Sequence, residues 1–174
     1  MVDVYIGIGS NIEPEKHFKA VYSLLKKTYP SIEFSRTFKS SAIGFVGDDF
    51  YNSVARFSVM KSSVTKASTE SGNTHSLSQL DEVLIQLKSI ENQLGRAWKD
   101  KKFSARVIDI DVLLFGDLVC NTPIQLPRGE IVENAYVLWP LSELASNLIH
   151  PLENTTYADL WENFDKGSQE LTAL

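Results

Sequence analysis

Residues 103–117, Phe-Ser-Ala-Arg-Val-Ile-Asp-Ile-Asp-Val-Leu-Leu-Phe-Gly-Asp, constrain the fold of this chain more than any other stretch. In an extended strand Ile108, Ile110, Val112 and Leu114 fall on one side, and Val107, Asp109, Asp111 and Leu113 on the other. The first side is wholly apolar and belongs in a core. The second sets two carboxylates on successive same-side positions, roughly 7 Å apart along the backbone. Like charges that close raise each other's pKa unless a cation sits between them. Mg²⁺ suits the pair, because it takes one or two carboxylates and keeps its other positions for water and phosphate. Arg106 precedes the pair, and a cation beside two carboxylates fits a polyphosphate better than a Ca²⁺ cage. The plainer reading is an edge strand with a solvated face, on which Asp-x-Asp is common.

At 174 residues the chain suffices for one domain with a real core, and its 43% hydrophobic content is ordinary for a globular protein. No apolar run has the length of a membrane span, and Met1 leads into a strand pattern instead of a signal peptide. Cys120 is the one cysteine, which excludes an internal disulfide or a cysteine-based metal site. A cytoplasmic monomer is the expectation. A formal charge of −5 and a pI near 5.2 argue against nucleic acid as a partner, which needs a basic footprint. His17, His75 and His150 lack the spacing of metal ligands.

From the N-terminus, Val4, Ile6 and Ile8 alternate as a buried strand. A turn follows at Gly7-Ile-Gly-Ser-Asn11, incomplete as a phosphate-binding fingerprint, with Ser10 or Asn11 near a helix cap. Pro14 suits a first helical turn; Phe18, Val21, Tyr22, Leu25 and Tyr29 keep helical spacing up to Pro30. Ile32, Phe34 and Phe38 predict a second strand, residues 40–50 a loop, and Tyr51, Ser53, Ala55, Phe57 and Val59 one face of a third strand containing Asn52. Residues 61–78, rich in Ser and Thr, read as a flexible surface insertion in a single domain.

Ser76 and Gln79 form a candidate capping box ahead of the clearest helical stripe, Leu80, Val83, Leu84, Leu87, Ile90 and Leu94, which Gly95 ends. Glu91 lies on that stripe and needs a partner: a salt bridge, with Arg96 a candidate, or a ligand at the edge of the core. Residues 96–106 then carry Arg96, Lys99, Lys101, Lys102 and Arg106 against Asp100 alone, with Trp98 and Phe103 among them. Placed just before two carboxylates, this run reads as a lid over phosphate with aromatics to stack on a planar ring; a solvated charge run is the plainer alternative. Leu118–Cys120 reads as a short hairpin return, Pro127-Arg-Gly129 as a loop, and Tyr136–Leu141 as a strand leading into a short helix with Trp139 in the core. The tail from Asn154 holds one weak helix and reads as peripheral.

The order strand, helix, strand, strand, helix, strand predicts an α+β protein: a ferredoxin-like two-layer sandwich with a mainly antiparallel sheet and helices packed on it. Several blocks, in order and over nearly the whole chain, resemble one family. They are Tyr5-Ile-Gly-Ile-Gly-Ser-Asn11, the Asn52 strand, Ile90-Glu-x-x-x-Gly-Arg96, Arg106-x-x-Asp109-x-Asp111-x-Leu-Leu-Phe-Gly116 and Leu138-Trp-Pro-Leu141. That family is 6-hydroxymethyl-7,8-dihydropterin pyrophosphokinase of the folate pathway. The resemblance implies transfer of pyrophosphate from ATP to the pterin hydroxymethyl group, with release of AMP. It implies Asp109 and Asp111 as ligands of two Mg²⁺ ions, and Arg96 and Arg106 as catalytic phosphate contacts. On the same ground ATP would also meet Glu91, Trp98, Arg128 and the backbone around Val112 and Gln125. Asn52 would bond the pterin, Phe103 and Tyr136 would flank it, and Ile43 would close over it.

The chain departs from the family pattern at Trp98 and Asn134, where arginine is usual, at Phe103, where tryptophan is usual, and at Arg128-Gly129, where histidine precedes proline or tyrosine. Ser40-Ser41 replaces a Thr-Pro pair. The metal and pterin positions thus keep the pattern better than the triphosphate clamp. Two other readings compete: a diverged relative that binds pterin or nucleotide with altered or absent transfer, and an RNA-binding module on the same strand order. The second lacks the Lys/Arg-Gly-aromatic motif that such modules use.

Overall fold

Nine residues, Val2–Ser10, form the strand β1, an interior strand of the sheet. The protein is described here from a computed structural model, which covers residues 1–42, 47–60, 72–95 and 107–174, the side chains of 72–76 excepted. After β1 come α1 (Pro14–Thr28), β2 (Glu33–Phe34), β3 (Phe38–Ser40), β4 (Phe50–Val59), α2 (Gly72–Gln93) and β5 (Asp109–Phe115). The C-terminal part adds α3 (Glu130–Glu133), α4 (Ala135–Leu144), α5 (Tyr157–Glu162) and β6 (Leu171–Ala173). Among the described residues the strands run β5-β1-β4-β3-β6, with β2 also paired to β4, and every pairing is antiparallel. This is the expected ferredoxin-like order, with β6 added beyond it.

Period-2 alternation in β1 and β4 meets period-3.6 stripes on α1 and α2 in the first core. Val4, Ile6 and Ile8 pack there with Ala55 and Phe57, Phe18, Val21 and Leu25, and Leu80, Val83, Leu87 and Ile90. The stripes predicted for both helices are therefore the buried ones. The opposite face of the sheet carries a second core, in which Tyr5, Val54, Leu113 and Leu114 pack against Ile131, Leu138, Leu141 and Tyr157. The C-terminal helices so form a further layer on that face.

Five local expectations are corrected. The second strand is two short ones, β2 and β3, separated at residues 35–37. Helix α2 begins at Gly72, so residues 72–78 belong to it and Ser76 lies inside the helix instead of capping it; residues 61–71 lie outside the described part. Residues 135–144 are one helix with Pro140 inside, not a strand leading into a short helix, because an apolar run of this length has no period that separates the two. The tail is not peripheral: Tyr157 is fully buried and β6 pairs with β3.

The fifth correction matters for the site. Tyr5 pairs with Leu114 but its neighbour Ile6 pairs with Val112, so Leu113 is an extra residue in β5. Such a bulge reverses the alternation beyond it. Ile108, Ile110 and Val112 enter the first core as expected, whereas Leu114 joins Leu113 in the second and Phe115 takes its place in the first.

Candidate active site

Directly paired residues in a sheet project to the same face. Asp109 pairs with Gly9, and Gly9 with Asn52; Asp111 pairs with Gly7, and Gly7 with Val54. Two carboxylates on β5 and one amide on β4 therefore flank a row of β1 that has no side chains. At two strand spacings, Asp109 and Asn52 stand roughly 10 Å apart. Farther along this face Tyr5 and Val54 are buried under the helices, whereas Gly7 and Gly9 are partly exposed. A side chain on Gly9 would lie 3.5 Å from the Asn52 Oδ1, within the trough.

Asn52 is 6% exposed and donates its Nδ2 to Ser40 Oγ at 2.8 Å. That bond orients the amide with its oxygen toward Gly9. Ser10 and Asn11 are buried, but neither caps α1, whose N-cap is Glu13. Ser10 Oγ donates instead to the Val107 carbonyl at 2.5 Å, tying the end of β1 to the chain leading into β5. Asn11 Nδ2 donates to the Asp48 carbonyl at 3.3 Å, tying it to the loop before β4. Both bonds brace the trough from its open end.

The outer edge of β5 is covered by two contacts. Ile110, between the aspartates, donates its amide to Glu91 Oε1 at 2.8 Å, and Lys88 Nζ lies 3.0 Å from Glu91 Oε2. Glu91 is 2% exposed, so burial and an amide bond hold it in place. The salt-bridge alternative thus has Lys88, one helical turn back, as a partner; Arg96 is outside the described residues. Beyond the bulge, the Arg128 amide donates to the Leu113 carbonyl at 3.1 Å. Its guanidinium reaches back, and Nη2 lies 2.5 Å from Asp111 Oδ1. Arg128 Nε is buried and, among the described residues, has no hydrogen-bond partner.

Asp109, Asp111, Asn52 and Arg128 are thus brought to one end of one sheet face. Val112 is buried in the first core, so only its backbone is open to a ligand. Gln125 is exposed, in a loop that Cys120 and Leu126 close through two backbone bonds, and its Nε2 comes near Gly129. Tyr136 packs against the second core, on the trough's side of the sheet. Ile43, Arg96, Trp98, Phe103 and Arg106 lie outside the described residues. Gly9 went unnoticed as the floor of a site, since only the pairing register reveals it. Lys88 was legible at i,i+3 from Glu91.

The donor set suits Mg²⁺. It offers two partly exposed carboxylates, hard oxygen ligands, and among the described residues no group of three or more His, Cys, Asp or Glu that could hold a metal. A metal held by this pair would keep positions for water and phosphate, as Mg²⁺ prefers and a closed structural site does not allow.

The model of the 7,8-dihydro-6-hydroxymethylpterin-pyrophosphokinase (HPPK) family matches residues 5–146. A 2-amino-4-hydroxy-6-hydroxymethyldihydropteridine pyrophosphokinase of Aquifex aeolicus is 31% identical over 158 residues, 87% of this chain and 86% of that one. The protein of the same name from Haemophilus influenzae is 29% identical over 156 residues, 87% and 86% of the two chains. A crystal structure of Plasmodium falciparum HPPK-DHPS superposes with a TM-score of 0.63 at 12% identity, over 93% of this chain and 43% of that one, a likeness of fold. The family match takes in β1, β4, α2, β5 and the Arg128 loop, all the elements that frame the trough, and the chain belongs to the HPPK family.

Proposed function

We propose that this protein transfers the pyrophosphoryl group of ATP to the hydroxymethyl oxygen of 6-hydroxymethyl-7,8-dihydropterin and releases AMP, a step of folate biosynthesis. The observation that supports this most is the trough itself: Asp109 and Asp111 on one side, a glycine floor, and Asn52 on the other. A flat heterocycle can lie over Gly9, where no Cβ intervenes, with its polar edge toward the Asn52 amide; the buried Leu113 side chain already stands over Gly7. Its hydroxymethyl arm then points along the row toward the carboxylates.

Asp109 and Asp111 would hold Mg²⁺, two ions by family resemblance, whose chemistry there is to neutralise charge on the bridging and leaving oxygens. The hydroxymethyl oxygen forms a bond to the β-phosphorus, the bond from that phosphorus to the oxygen bridging to the α-phosphate breaks, and AMP leaves with that oxygen. The hydroxyl proton is lost to solvent or phosphate. Arg96 and Arg106 are proposed phosphate contacts from their positions in the family motif, as are Trp98 for ATP and Ile43 and Phe103 for the pterin. Arg128 is proposed to reach the phosphates from beside Asp111. Tyr136 would flank the pterin, and Val112 and Gln125 would offer backbone to the adenine. Glu91 is proposed to serve ATP through β5, by fixing the Ile110 amide between the aspartates. We read the chain as a single pyrophosphokinase domain working as a cytoplasmic monomer on two small molecules; among the described residues no helix is long and apolar enough to cross a membrane.

Incubation with ATP, Mg²⁺ and 6-hydroxymethyl-7,8-dihydropterin, followed by nucleotide separation, tests the proposal. AMP in step with pterin diphosphate is expected. ADP would mean ordinary phosphoryl transfer, and neither product would favour a diverged relative that binds without transferring.

A further inference from the structure

We propose that Arg128 is a built-in counter-cation for Asp111, which competes with metal in the free protein and so makes metal and polyphosphate bind together. The inference rests on the metal reading of Asp109 and Asp111 given above.

Two same-face carboxylates need a cation whether or not a metal is bound. In this chain one is supplied internally: Arg128 Nη2 sits 2.5 Å from Asp111 Oδ1. The side chain is placed there by its own backbone, since the Arg128 amide is bonded to the bulge residue Leu113, two positions from Asp111. The pair is neither fully buried nor free in water, with side-chain exposures of 25% for Arg128 and 40% for Asp111. Coulomb attraction there is stronger than at an open surface but still reversible.

The seat is also incomplete. A guanidinium binds a carboxylate best through two parallel N–H bonds. Here a single nitrogen meets a single oxygen, and among the described residues the buried Nε has no acceptor. A phosphate oxygen at the site would offer acceptors that Asp111 does not. A metal on Asp111, even through Oδ2, would sit within a few ångströms of the guanidinium on Oδ1, and the two cations repel each other. Metal binding therefore weakens the guanidinium's hold, and an anion that draws the guanidinium away favours metal on the carboxylate. By linkage each ligand must favour the other by the same factor. The Leu113 bulge gives the device its geometry, because it puts an outward carbonyl where the Arg128 amide can dock.

Titration of the nucleotide-free protein with Mn²⁺, followed by electron paramagnetic resonance of the free ion, reads the competition directly. Arg128→Met keeps the side-chain stem and the backbone bond but removes the charge. It should tighten Mn²⁺ binding about fivefold or more, the low end of ordinary coupling between ligands. Arg128→Lys should remain near wild type. In an Asp111→Asn background, Arg128→Met should have no further effect, because the oxygen in dispute is no longer charged. Equal or weaker Mn²⁺ binding by Arg128→Met, including no binding by either protein, overturns the proposal. If Asp109→Asn and Asp111→Asn abolish Mn²⁺ binding while Arg128→Met changes nothing, the competition is wrong and the metal centre stands. If the two asparagine variants bind like wild type, the metal centre itself is wrong, and the competition falls with it.

Discussion

Glu91 Oε1 accepts a 2.8 Å hydrogen bond from the amide of Ile110, the residue between Asp109 and Asp111 on β5. A carboxylate on the buried face of α2 thus sets the backbone from which both proposed metal ligands project. Glu91→Ala leaves that amide unpaired beside a buried cavity and should cost about 2–4 kcal/mol of stability. Glu91→Gln keeps an oxygen acceptor and should cost much less. Thermal melts of both variants, set beside their turnover, check this. If Glu91→Gln is destabilised as strongly as Glu91→Ala, the Ile110 bond is not what Glu91 supplies.

Asp109→Ala and Asp111→Ala should each lower turnover by at least about a thousandfold, because either change removes a metal ligand from the transition state. The fold should survive, since each carboxylate projects from the open end of the sheet face and its removal relieves like-charge repulsion. Asp111→Ala also frees Arg128 of its partner, which offsets part of that gain. Near-normal turnover by the double variant would remove the metal assignment.

The glycine floor makes a separate prediction. Gly9→Ala puts a methyl in ordinary contact with Asn52 Oδ1, at 3.5 Å, so the protein should fold. The methyl occupies the space assigned to the pterin, and the pterin KM should rise about tenfold or more with little change for ATP. Ser40→Ala removes the acceptor that orients Asn52 and should also act on the pterin KM. Steady-state kinetics in both substrates decide it: an equal rise for ATP would mean a general distortion.

Arg128 is expected to matter twice, once for metal in the free protein and once for nucleotide. Relative to the family pattern the chain lacks guanidinium groups at Trp98 and Asn134 and adds one at Arg128. Loss of one charge-assisted phosphate contact is worth about 1.5–3 kcal/mol. Arg128→Ala should therefore raise the ATP KM by about ten- to a hundredfold. Asn134→Arg should recover part of that if its side chain spans from the start of α4 to the phosphates. An unchanged ATP KM in Arg128→Ala would show that the guanidinium stays on Asp111 during turnover.

Acid stability should report on His150. The side chain is 3% exposed, and Nδ1 accepts the amides of Leu152 and Glu153 at 3.2 and 3.1 Å. Burial pushes its pKa below the ordinary 6.5, against a weaker pull upward from Glu153. The unfolded chain therefore takes up this proton at a higher pH than the folded one. The contribution of His150 is complete above pH 6.5 and is lost as pH falls toward the folded value. His150→Asn retains an acceptor but does not titrate, and should flatten the fall in melting temperature just below neutrality. A fall as steep as that of wild type would assign the acid sensitivity elsewhere.

The faces of β1, β4, α1 and α2, the stop at Gly95 and the side of β5 on which the carboxylates lie were all legible along the chain. Each is decided by a local period and by the cost of burying what is polar, and neither depends on distant residues. Leu114 shows where that reasoning ends. Its side was reversed by a bulge at Leu113, which exists only in the register between β5 and β1. Ser10 and Asn11 had the chemistry of helix caps, but carbonyls far along the chain, at Val107 and Asp48, took their hydrogen bonds. Residues 135–144 had an apolar run that fits strand or helix, and the second core settled it as helix. The residues of the proposed site, two aspartates, an asparagine and an arginine, were thus legible in the sequence. Only tertiary structure placed Gly9 between Asp109 and Asn52 and set Arg128 on Asp111, because strand register and loop docking are fixed by contacts between segments that the chain itself keeps apart.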